Sequence, residues 1–198
     1  MTIFNVRFCL LLAAVGFIAG CGKQERMEAV QFAKALGEKD AIFANASKSE
    51  QELISNAQAW CGGITTNGAG RGVELDQNAS VAAQLAKSAV AISTQLSEVR
   101  QAIDGQVLTE EYPRSVRNEL SGQLTKRQRR LQDLRAILEQ AGPQFLEYRG
   151  NKAYKGDSYP DGIGKLDPVL RASKTPPDSL GAAIAALKTK YGLTDSEL

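Results

Sequence analysis

The chain has 198 residues, with 24 Lys plus Arg against 22 Asp plus Glu, three Cys and no His. The missing histidine excludes Cys-His and Ser-His-Asp nucleophiles, imidazole metal sites and a near-neutral imidazole switch. A formal charge of +2 argues against a dedicated nucleic-acid binder, whose domain is strongly basic, and the length suits one domain with a real core.

Residues 1–20 carry Arg7 as their only charge, followed by an apolar run from Phe8 to Ile18. That run is too short to span a bilayer, which takes roughly 20 apolar residues, and reads as a signal peptide. It ends in Ile18-Ala19-Gly20-Cys21, which resembles the lipobox of bacterial lipoproteins: an aliphatic residue, two small residues and Cys. The resemblance implies cleavage before Cys21, diacylglyceryl modification of its thiol and acylation of the new amino terminus. Two or three acyl chains hold a protein on a membrane where one does not. Gly22 stands where the family's inner-membrane retention signal would be Asp. In a Gram-negative cell this implies the outer membrane, facing the periplasm. The resemblance is confined to the leader and gives residues 22–198 no role. Cys9 leaves with the leader and Cys21 carries lipid, so Cys61 remains as a lone thiol. Its place beside Trp60 on an apolar helix face predicts burial.

The mature portion has 24 Ala and 18 Leu against 8 Val and 8 Ile, and no alternating strand pattern. All six prolines lie at or after position 113. The expected fold is all-α, a helical bundle built around an antiparallel coiled-coil-like hairpin, with an irregular C-terminal third and a final short helix. Residues 21–149 form the bundle, with the hairpin at 78–141. Residues 150–198 pack on the same domain.

The spacing of Met27, Val30, Ala33 and Leu36 predicts a helix from about Gln24 to Asn45, leaving only Gly22 and Lys23 as linker to the lipid. Ser47 and Glu50 fit a capping box opening a second helix through Leu53, Ala57, Trp60 and Cys61. Gly62-Gly63 would stop it, and the glycine-rich stretch 62–72 reads as a connector, since it lacks the Gly-Lys-Ser/Thr of a phosphate loop.

Ala82, Leu85, Ala89, Ile92, Leu96, Val99 and Ile103 recur at alternating spacings of three and four. So do Leu120, Leu124, Arg127, Leu131, Leu134, Leu138, Ala141 and Phe145. These are seam positions, and the short link from Gly105 to Tyr112 predicts an antiparallel pair. A turn centred near residue 108 sets Leu85 by Leu131, Ile92 by Leu124, Leu96 by Leu120 and Ala82 by Leu134. It also sets Arg127 against Ala89 and Arg117 against Val99. Pro143 marks a break, residues 150–177 read as loop, and a last helix starts near Asp178 and stops at Gly192.

Among candidate sites, Arg114, Arg117, Lys126, Arg129 and Arg130 could form a face for anionic headgroups or an acidic partner. The competing reading is a solvated helix face. Tyr148, Tyr154 and Tyr159 concentrate aromatic surface outside the core and are weak ligand candidates. A calcium loop at Asp157 fails, because Tyr159 and Pro168 stand where two of its oxygen ligands should be. No metal, cofactor or catalytic residue is expected: Cys61 lacks a His base and no Ser-x-x-Lys occurs. The chain thus reads as a non-catalytic interaction or scaffolding module with a membrane and an envelope protein as partners. The alternative is a small-ligand or lipid carrier with a cavity between helices.

Overall fold

A computed structural model of the chain describes the backbone of residues 4–156, 158–171 and 179–198, with side chains from residue 22 onward. Among the described residues five α-helices follow one another: α1 (Phe4–Asn67), α2 (Val73–Asp104), α3 (Glu111–Gly150), α4 (Asp161–Arg171) and α5 (Gly181–Tyr191). A short 3-10 turn spans Asp195–Glu197. There is no strand among the described residues, and the fold is an all-α bundle. None of the described helices is long and apolar enough to cross a membrane. Residues 1–3, the side chains of the leader and of Cys21, Asp157 and the helix start expected at Asp178 all lie outside the described residues.

α1 is one helix where two were expected. Ala29, Phe32, Leu36, Phe43, Ala46, Leu53, Ala57, Cys61 and Ile64 form a single buried stripe that runs unbroken past Asn45. Burial of that stripe outweighs the weak helix propensity of Asn45 and Ser47, so no break occurs there. Nor do Gly62 and Gly63 end the helix; both are helical and exposed. The stop comes at Gly68 (φ 78°), whose N–H donates to the Ile64 carbonyl at 2.8 Å. Only glycine takes that left-handed conformation cheaply. Cys61 is buried as expected, its Sγ 3.5 Å from the Ile163 carbonyl oxygen, and burial pushes the thiol up, with Asp167 adding to the shift.

α2 and α3 pack as the antiparallel hairpin, and every seam position is buried except Leu120, which is half-buried. The register differs from the symmetric one. Asp76 pairs with Arg149 at 2.8 Å, Arg100 reaches Gln128 at 2.8 Å, and Ser93 accepts from Gln128. Facing positions are thus shifted by about two turns, and Leu85–Leu131 and Ile92–Leu124 are not partners. Leu138 instead lies across from Ala86, and Leu131 across from Ala89 and Ser93.

A long-range contact from α1 accompanies the shift. Glu28 on α1 accepts from the Thr109 and Glu110 amides at 2.9 and 3.0 Å and from the Thr109 hydroxyl at 2.5 Å. This carboxylate caps the start of α3 from another helix, since Glu110 makes no side-chain cap of its own. The link therefore reaches across to α1, and α3 begins beyond the end of α2. Burial raises the Glu28 carboxyl, but the Thr109 and Glu110 hydrogen bonds outweigh it and the net shift is downward. A lowered carboxylate stabilises the fold above its ordinary value of 4.5 and loses that contribution as pH falls through the folded value. Glu28→Gln should cost about 1 kcal/mol at neutral pH and flatten the acid limb of a urea-melt pH series. An unchanged acid limb would remove Glu28 from the cap.

The C-terminal third is less irregular than its composition suggests. Pro143 does not break α3, which continues to Gly150 with Phe145 fully buried. Residues 161–171, expected as loop, form α4, which buries Ile163, Leu166 and Leu170. Both Pro143 and Pro168 stand on exposed helix faces, so the carbonyls they deprive of a partner, those of Glu139 and Gly164, belong to exposed residues. A Cβ added at Gly162 would stand only 3.6–3.9 Å from Ile137 and Ala141 of α3, so α4 lies directly against the hairpin there. α5 buries Leu187, and its preceding Leu180 amide donates to Asp40 of α1 at 2.6 Å. Gly192 (φ 60°) ends it as expected. The chain end then closes on the base of α1: Tyr191 donates to Glu25 at 2.6 Å and Arg26 pairs with Glu197 at 2.7 Å.

Candidate functional site

The five basic candidates of α3 do not share one face. Arg117 turns back to donate to the Gln106 carbonyl at 2.9 Å, tying down the link to α2. Arg130 leans inward, 3.6 Å from Glu50. Arg114, Lys126 and Arg129 are exposed and make no ion pair among the described residues. With 3.6 residues per turn these three stand within about 120° of one another on the outer side of α3.

Two of the three candidate tyrosines come together. Tyr148 and Tyr154 stack with ring centroids 4.7 Å apart, and the Tyr154 hydroxyl donates to the Ser158 carbonyl at 2.5 Å. Tyr148, Tyr154 and Tyr159 are all half-buried against the core. The stack ties Tyr154 to the end of α3.

The most unusual chemistry is a buried ion cluster. Ser47, Glu50 and Arg127 are 1%, 1% and 4% exposed. Arg127 Nε and Nη2 donate to Glu50 Oε2 at 2.7 and 2.6 Å, and Nη2 also donates to Ser47 Oγ at 3.1 Å. The guanidinium lies 4.9 Å from the centre of the Phe43 ring, while Nη1 has no partner. Burial lowers the Arg127 guanidinium and Glu50 opposes that shift, as expected of a desolvated cation with one strong counter-ion. The seam position of Arg127 was legible, but not its partner: it faces α1, not Ala89. Ser47 and Glu50 are no capping box. They sit one turn apart inside α1 and provide the acceptors for Arg127. The available signal was Glu50 itself, an acid standing in the apolar stripe between Ala46 and Leu53.

On its outer side the hairpin is uncovered. A groove of about 450 Å³ runs between α2 and α3, lined by Ala89, Val90, Thr94 and Ser97 on one wall and by Gln128 and Gln132 on the other. A second groove of about 310 Å³ continues it past Val90 toward Ala83, Ala86 and Gly142. Both are open to solvent along one side. Short side chains on α2 leave room for a partner's side chains, and Val90 is 38% exposed on the ridge. Among the described residues no group of three His, Cys, Asp or Glu is placed to hold a metal. Comparison with protein-family profiles, curated proteins and solved structures finds no match to this chain.

Proposed function

We propose that this chain is a lipid-anchored bacterial envelope lipoprotein acting as a non-catalytic interaction module through its α2–α3 hairpin. Anchoring is supported by the Ile18-Ala19-Gly20-Cys21 resemblance, and Gly22 in place of the Asp retention signal favours the outer membrane in a Gram-negative cell. The observation that carries the interaction reading is the open groove on the outer side of the hairpin, floored by short side chains and left bare by α1, α4 and α5. It is shaped for a partner helix, and its openness suits docking better than enclosure of a small ligand. A photocrosslinking residue at Thr94, which lines the groove, should give a discrete adduct with an envelope protein in cells. The same probe at exposed Gln58 on α1 should not. Equal or absent crosslinking at both positions would remove the groove as the docking surface.

A further inference from the structure

The outward face of α1 next to Cys21 has a pattern that the hairpin does not use and the core uses only through Val30. Lys23, Met27, Val30 and Lys34 recur at spacings of four, three and four on the side of α1 away from the buried Phe32 and Leu36, with Val30 partly buried at the edge of the core. Met27 is 56% exposed, and Lys23 and Lys34 are exposed with no ion-pair partner among the described residues. A shallow groove of about 540 Å³ lies along this face, with Gln31 and Glu197 at its rim. Glu197 is already paired with Arg26 at 2.7 Å, and the other acid on this side, exposed Glu38, lies one turn beyond Lys34. The order along the face is therefore cation, two apolar residues, cation.

We propose that this face is a second membrane contact, lying on anionic phospholipid headgroups so that the base of α1 rests along the bilayer. The proposal rests on acylation of Cys21 as read above. That acylation puts the bilayer within reach, because Gly22 and Lys23 already belong to α1 and no free linker intervenes. Lys34 is about 20 Å along the helix from Cys21 at 1.5 Å per residue, so the whole face falls next to the anchor. Met27, with the exposed edge of Val30 beside it, enters the headgroup–acyl boundary. The lysine stems lie along the helix and carry their ammonium groups out to phosphates. Each lysine near an anionic surface contributes about fivefold to the docked population.

The test uses the full acylated chain in vesicles of phosphatidylethanolamine with about one third phosphatidylglycerol. Gln31→Cys places an exposed thiol in the groove while Cys21 is acylated and Cys61 buried, and it accepts an environment-sensitive fluorophore. Lys87→Cys on α2 gives the control site. Iodide quenching at position 31 should be roughly threefold weaker than at position 87, and Lys23→Glu with Lys34→Glu should abolish the difference. Equal quenching at both sites in the acylated protein overturns the second contact and leaves the anchor standing. Protection that persists in phosphatidylcholine vesicles, or rises with the protein-to-lipid ratio, also overturns it and assigns the face to a second copy. A mass spectrum showing unmodified Cys21 overturns both the contact and the anchor.

Discussion

Replacing Glu50 or Arg127 alone should destabilise the fold by about 3–5 kcal/mol, because each leaves its partner as an uncompensated charge in the core. For a chain of this size that lowers Tm by roughly 6–20 °C. Glu50 is the more severe site, since its loss strands both Arg127 and the half-buried Arg130. The double variant Glu50→Leu with Arg127→Met should behave differently. It removes both charges, fills the space with apolar volume and should lie between neutral and about 4 kcal/mol more stable than the parent. Thermal melts of the two singles and the double therefore measure the coupling directly. If the double variant loses as much as the two singles combined, the cluster is not a self-compensating pair.

Phe145→Ala should cost about 3–5 kcal/mol, the expected loss for a fully buried aromatic. Phe145 is 0% exposed and meets Trp60 edge to face, with centroids 5.9 Å apart and planes at 63°. Trp60 is the single tryptophan of the chain and is held by a 2.9 Å hydrogen bond to Asn78, so its fluorescence reports this contact. The variant should melt early and shift Trp60 emission to the red in the folded state. Phe145→Leu keeps most of the volume and should lose under about 2 kcal/mol. A loss below about 1 kcal/mol for Phe145→Ala would mean that α3 past Pro143 does not pack on α1 as described.

The hairpin was legible because its signal is repeated: fifteen seam positions in two arms, of which only Leu120 is less than buried. A single residue carries less. Ser47-x-x-Glu50 matches a helix start by type, and only the continuity of the apolar stripe on either side shows that it lies mid-helix. Pro143 and Pro168 misled for the same reason. Proline disrupts a helix when the carbonyl it orphans is buried, and whether that carbonyl faces water depends on packing absent from local sequence. The seam fixed which faces of α2 and α3 meet, but not how far along. That offset goes with a contact from outside the hairpin, Glu28 on the Thr109 and Glu110 amides 81 and 82 positions away. Pattern reading has no access to such a contact. The basic residues of α3 showed a further limit. Residue type marked them as a group, while helical rotation and the position of Glu50 divided them into inward and outward sets.

The anchor underlies both the proposed function and the second membrane contact, and the mature amino terminus tests it most directly. The full-length chain should be expressed in a Gram-negative host, extracted from membranes and digested, and its N-terminal peptide weighed. The expected result is a peptide beginning at Cys21 and carrying a diacylglyceryl group, with a further acyl chain on the α-amine. A Cys21→Ser variant should lack the modification and leave the membrane fraction. A peptide that still contains residues 1–20, or one that begins at an unmodified Cys21, would contradict the lipid-anchored reading.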